Sequence, residues 1–215
     1  MVVIGADVAT GGWVVARWDG STLEMSLHAT VTDIVDTHAD AAVYGVDIPI
    51  GLPAVPPRLA DQMARDRLGS RRNSVFDAIP IDLLDARDYR EALAWSRERF
   101  GRGISAQSFA LRDRIVDARA AASDDERIVE VHPEVSFAEM ATRPMAWSKK
   151  SWNGQAERRR ALRDAGFVLP NQLVEAGAVP VDDVLDAVAA AWSAMRVARG
   201  TAHILGEPEI GAIYA

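Results

Sequence analysis

The sequence predicts an α/β fold built on a mixed sheet. Three observations carry this. The chain opens with apolar, turn-punctuated runs that read as an antiparallel meander of three strands. A short helical segment then leads to a further apolar run, Ala42 to Asp47, placed to lie parallel to the first strand. A later apolar run, Arg127 to His132, and a closing amphipathic helix complete the pattern.

Val2 to Asp7 is a buried strand ending on an acid, followed by the turn Thr10-Gly11-Gly12. Trp13 to Trp18 is the second strand, and Asp19-Gly20 favours a hairpin. Leu23 to Ala29 is a weaker third strand. Thr32 to Ala39 is a short helix with Thr30 or Thr32 as its cap. In Tyr44-Gly45-Val46-Asp47-Ile48-Pro49-Ile50-Gly51-Leu52-Pro53, Pro49 cannot donate to a sheet ladder, so pairing should fail there. Asp47 then sits at the carboxyl end of a buried strand, where α/β proteins hold ligands.

Helices follow from Pro56 to Leu68, Asp88 to Phe100 and Ser105 to Ala121, with a polar loop Gly69 to Ser74 between the first two. Residues of about 54–122 thus form a helical insertion within one domain spanning 1–215. Pro133 ends the last strand and starts a helix through Met140. Gly154 to Ala165 is a polar helix. Asp182 to Arg199 carries an apolar stripe of Val184, Leu185, Val188, Ala189, Trp192 and Met195, and 201–215 reads as a surface tail.

Composition narrows the classes. The chain has 49% hydrophobic and 26% charged residues and no cysteine, which removes disulfides, thiolate metal sites and cysteine nucleophiles. No stretch is apolar enough for a membrane span, and Met1 leads straight into Val2-Val3-Ile4 without a basic leader. The expectation is a cytoplasmic protein. A net charge of −7 argues against a bulk nucleic-acid coat protein, though a carboxylate-based nuclease remains compatible.

The acids are the chemical signal. Asp7 and Asp47 end two strands expected to be neighbours. Glu130 lies on the next strand and Glu134 just past it, and alternation alone does not say whether Glu130 or Val131 faces out. Asp183 and Asp186 share one face of the final helix's first turn. Hard cations such as Mg²⁺ or Mn²⁺ take such oxygen ligands, and one or two of them can drive phosphodiester hydrolysis. Simpler accounts compete: Asp182 as an N-cap, Asp183 as a partner of the helix dipole, Asp7 as a turn cap. An acid ending an apolar strand, as Asp47 does, needs a partner.

Ile4-Gly5-Ala6-Asp7-Val8-Ala9-Thr10-Gly11-Gly12-Trp13-Val14, Gly45-Val46-Asp47-Ile48-Pro49-Ile50-Gly51-Leu52, Ile128-Val129-Glu130-Val131-His132-Pro133-Glu134 and Asp183-Val184-Leu185-Asp186-Ala187 resemble the DUF429 family, described as predicted RNase H-like nucleases. The resemblance implies a ribonuclease H-like five-stranded mixed sheet flanked by helices. It also implies metal positions at Asp7, Asp47, Glu134 or Glu130, and Asp186 or Asp183.

Arg58, Arg65, Arg67, Arg71 and Arg72 surround the loop after the Asp47 corner, with Arg99 and Arg102 further on. Lys149, Lys150 and Arg158 to Arg160 add charge, and Trp152 could stack on a base. Ser105, Gln107 and Ser108 could line the same cleft, although capping accounts for Ser105 more simply. His132 could carry a proton or be structural. The leading expectation is a Mg²⁺- or Mn²⁺-dependent nuclease acting on DNA or RNA. The alternatives are a catalytically silent binding fold and, behind it, an actin-like phosphotransferase.

Overall fold

A computed structural model describes residues 1–215. Five strands form the main sheet in the order β3-β2-β1-β4-β5. The meander is β1 (Val3–Ala9), β2 (Gly12–Trp18) and β3 (Leu23–His28), paired antiparallel. The strands β4 (Tyr44–Val46) and β5 (Ile128–Glu130) add parallel to β1 and to each other. The helix α1 (Val31–Thr37) makes the crossover, and Thr30 caps it by accepting the Asp33 N–H. Four helices lie between β4 and β5 in the chain: α2 (Leu59–Leu68), α3 (Tyr89–Phe100), α4 (Ala106–Ala110) and α5 (Arg112–Asp124). After β5 come α6 (Pro133–Ala141), α7 (Trp152–Asp164) and α8 (Val181–Ala198).

Strand alternation sorts the sheet into two faces. Ile4, Ala6, Val15, Tyr44, Val46 and Ile128 face α1 and α5, packing on Val31, Ile34, Ile115 and Ala118. Val3, Val14, Ala16 and Val43 face α8, with Phe137 of α6 and Leu162 of α7 completing that core. Each such fully buried aliphatic or aromatic side chain contributes about 1.5–3 kcal/mol.

Two glycines set how closely α8 lies on the sheet. A Cβ on Gly5 would stand 2.1 Å from both Ala187 O and Ala191 N, and one on Gly45 would stand 2.7 Å from Ala190 O. The facing stretch of α8 is rich in alanine, which keeps its own side short.

Several boundaries differ from the sequence expectation. The stretch expected as one helix from Ser105 to Ala121 is two, α4 and α5, meeting at Leu111. Ser105 caps α4, accepting the Ser108 N–H at 2.9 Å. The loop Gly69–Ser74 is a 3-10 helix. Asp182 is not the cap of α8: Pro180 holds that position and Asp182 lies inside the first turn. The segment 201–215 is no loose tail. It forms a hairpin of β6 (Ile204–Glu207) and β7 (Gly211–Tyr214), and Tyr214 bridges Val131 beside β5. That hairpin crosses the Asp47 corner so tightly that a Cβ on Gly51 would meet Gly211 Cα at 2.2 Å.

Candidate functional site: a carboxylate cleft at the carboxyl edge of the sheet

The parallel register of β1 and β4 pairs Ala6 with Val46. One residue further, the Asp47 N–H donates to Ala6 O at 2.8 Å, which sets Asp47 abreast of Asp7. Both lie on the α8 face, in phase with Gly5 and Gly45. The tight seat of α8 brings Asp186 of its second turn over the same point. These three carboxylates line one cleft of about 640 Å³ with Glu134, Asp182, Asp183, His132, Lys149 and Lys150. Asp47 closes a strand one residue after the ladder ends, as expected, whereas Asp7 lies within β1, which runs on to Ala9.

These acids are unevenly paired: Asp182 and Asp186 share Lys149 and Glu134 has Arg158, whereas Asp7, Asp47 and Asp183 have no ion-pair partner. Asp7 is buried, and its Oδ1 accepts the Val8 N–H at 2.8 Å. Burial, then repulsion from Asp47 and Asp186, holds its carboxyl well above the usual range. Burial and the Asp186 charge push Asp47 up to about 8, while Lys149 and the neighbouring Asp7 oppose the rise. At neutral pH the pair therefore keeps a proton. Burial likewise lifts Asp186 to about 6, against the pull of Lys149. Asp186 Oδ2 accepts from Lys149 Nζ at 2.6 Å, whereas its Oδ1 is buried with no partner. Asp183 is half-buried, and burial with the Asp182 charge raises it too.

The two glutamates part company. Val46 pairs with Glu130, so Glu130 points to the face opposite Asp7 and Asp47. There Arg58 Nη2 donates to Glu130 Oε1 at 2.6 Å, and the Ile50 N–H donates to Oε2 at 2.8 Å. Arg58 also donates through Nε to Asp61 Oδ1 at 2.9 Å. Glu130 is thus held in a closed ion-pair group outside the cleft. Glu134, in the first turn of α6, lines the cleft. Its Oε1 accepts from Arg158 Nη2, Arg71 Nη2 stands 3.9 Å away, and its Oε2 is buried without a partner.

The basic residues expected to contact substrate are scattered in role. Lys149 and Lys150 line the cleft, Lys150 exposed. Arg71 is half-buried at its edge, and Arg72 is exposed on the 3-10 turn without an ion pair. Trp152 opens α7 and is 85% exposed, with Trp147 also exposed nearby in the chain. Ser105 is a cap facing a separate, smaller hollow, while Gln107 and Ser108 reach the cleft. Arg58 is withdrawn from any phosphate by its ion pairs, Arg65 is paired with Asp77 at 2.8 Å and Arg67 with Glu139 at 2.5 Å. His132 lines the cleft, but its Nδ1 is buried without a partner and burial lowers its pKa.

Two parts of the site have weaker sequence signals. Arg158 is fully buried, yet it sits in an arginine run that reads as solvent-facing. The useful signal is its spacing from Gly154 and Leu162, one inward stripe of α7. The Lys149 loop is fastened by Ser151 Oγ donating to Ser148 O at 2.8 Å and Arg158 Nη1 donating to Trp147 O at 3.2 Å.

Oxygen donors are the type that suits a hard divalent ion, and Asp186 Oδ1 is buried without a partner. No three of the acidic or histidine side chains stand in a chelating arrangement, and Lys149 and Arg158 hold Asp186 and Glu134 in ion pairs. No helix is long and apolar enough to cross a membrane. No curated protein and no solved structure matches the chain. The family model for a protein of unknown function, DUF429, matches residues 5–210, and the chain belongs to that family.

Proposed function

We propose that this protein is a divalent-metal-dependent nuclease with a ribonuclease H-like arrangement, hydrolysing phosphodiester bonds in DNA or RNA. One observation carries the reading: Asp7, Asp47 and Asp186, far apart in sequence, line one cleft, and of the three only Asp186 has an ion-pair partner, Lys149. Keeping such acids together costs stability, and a fold retains that cost where a cation or substrate relieves it. The sheet order, with an antiparallel meander followed by parallel strands, is the one expected of the ribonuclease H-like class.

Asp7 and Asp47 would hold the Mg²⁺ or Mn²⁺, with Asp186 Oδ1 as a third donor. A bound ion of this kind polarises the scissile phosphate and lowers the pKa of the attacking water. Lys150 and Arg71, at the edge of the cleft, would attract the phosphate backbone. The exposed Trp152 would offer a stacking surface to an unpaired base.

A second reading has its own support. Lys149 on Asp186 and Arg158 on Glu134 neutralise part of the cluster without any metal, as a catalytically silent binding fold would require. Incubating purified protein with single- and double-stranded DNA, RNA and hybrids separates the two. The nuclease reading expects cleavage with Mg²⁺ or Mn²⁺, none with chelator, and loss of at least about 100-fold in Asp47→Asn. Cleavage unchanged in Asp47→Asn refutes it, and a stably folded protein that binds nucleic acid without cutting supports the silent fold.

A further inference from the structure

We propose that the wall of the cleft built by the helical insertion is a seat for one unpaired nucleobase, with Phe76 as its stacking surface, so that the strand taken is single or locally opened. The inference rests on the nuclease reading above and adds the substrate class that the cleft selects.

The cleft has two unlike sides. The acids come from the α8 face of the sheet, whereas Ala78, Ile79 and Ile115 reach it from the core on the α1 and α5 face. Phe76 and Leu111 extend that apolar side, and the exposed Gln107 lines it with them. A hollow of about 640 Å³ is in the size range of sites for single small ligands, which combine apolar walls with a few polar groups. Phosphate and sugar give an apolar wall little to bury, and in a duplex the base faces are already stacked on one another. An unpaired base supplies a flat face for an aromatic ring and an edge for an amide, which carries both donor and acceptor.

The fold holds Phe76 outward from a fastened segment. Val75, Ala78 and Ile79 around it are buried, while Phe76 itself is 45% exposed. Arg65 Nη2 donates to Val75 O at 2.9 Å, and the Asp77 carboxylate is held by Arg65 at 2.8 Å and by Arg102 at 3.2 Å. The Ala78 N–H donates to Asp61 Oδ2 at 2.8 Å, which ties the segment to the closed Arg58 group. A ring whose backbone is fixed before the ligand arrives loses little freedom on binding. Stacking on such a ring tolerates any sequence, because every base has a π-face.

Fluorescence anisotropy with short labelled DNA and RNA strands, at low salt and in chelator so that they stay intact, reads binding by the full chain without cleavage. The expected result is a single strand bound at least about 10-fold more tightly than its duplex, with an abasic strand of the same length binding no better than the duplex. Phe76→Ala should weaken single-strand binding by about 10-fold and leave duplex binding unchanged, and Phe76→Trp should keep the native affinity. A duplex or an abasic strand bound as tightly as the intact single strand overturns the proposal. So does native single-strand affinity in folded Phe76→Ala, or an equal loss on single strand and duplex in that variant. If Phe76→Ala does not fold, the comparison of intact and abasic strands on the native protein decides alone. Binding of neither strand also overturns it, whereas the nuclease reading falls only with the cleavage assay above.

Discussion

The sheet carries two buried acidic groups, one on each face, and they are opposites. On the α1 and α5 face, every carboxylate oxygen of Glu130 and Asp61 has a donor: Arg58, the Ile50 N–H and the Ala78 N–H. On the α8 face, the charges of Asp47 and Asp186 push the Asp7 carboxyl up, and Asp186 Oδ1 and Glu134 Oε2 have no partner. The residue types are the same and the burial is similar. Only the completeness of pairing differs. The first group ties the Asp47 corner, α2 and β5 together. The second has buried carboxylate oxygens with no donor, and its acids raise one another's pKa.

The contrast can be broken most forcefully at Arg58. Arg58→Ala leaves Glu130 and Asp61 buried and unpaired, at a cost of about 3–5 kcal/mol. Thermal denaturation should show a midpoint about 10 °C lower. A midpoint near that of the native protein would mean the group is not the clamp described. Gly5→Ala comes next, because its Cβ would collide with the α8 backbone. Overpacking there should cost about 1–3 kcal/mol in urea denaturation and weaken Mn²⁺ binding by moving Asp186. Retained affinity would show that the seat of α8 does not position the cleft.

A third prediction uses pH. The Asp47 carboxyl ionises at about 8 in the folded chain against 3.8 when free. The folded state therefore holds that proton more tightly, so this stability is complete below pH 4 and is lost as pH rises through 8. In chelator, unfolding free energy should fall over that window by on the order of 1–2 kcal/mol, allowing for solvent reaching Asp47. Asp47→Asn should flatten the curve, and a slope unchanged in that variant would assign the effect elsewhere. The smallest effect is at Ser105, whose role is to cap α4. Ser105→Ala should cost about 1 kcal/mol and leave cleavage unaltered. Lost cleavage in a folded variant would return Ser105 to the substrate cleft.

Much of this was legible in the residues. Asp7, Asp47 and Asp186 stood out because acids inside apolar segments need a reason. The meander, the parallel return and α8 followed from alternation and helical spacing. The choice between Glu130 and Glu134 was not legible, because it depends on which way β5 faces, and a shift of one residue in register inverts that. The fate of Arg58 was hidden for a related reason. An arginine in a charged helix start looks solvated until its long-range partner across 72 residues is known. The terminal hairpin was missed because its strands are four residues each and flank a polar Pro208-Glu209 turn.

Diffraction from crystals soaked in Mn²⁺ tests the metal-dependent proposal for the cleft most directly. The account predicts an anomalous peak within about 2.5 Å of carboxylate oxygens of both Asp7 and Asp47, and none beside Glu130. A map with no peak in the cleft, or with its strongest peak on the Arg58 side of the sheet, would contradict it.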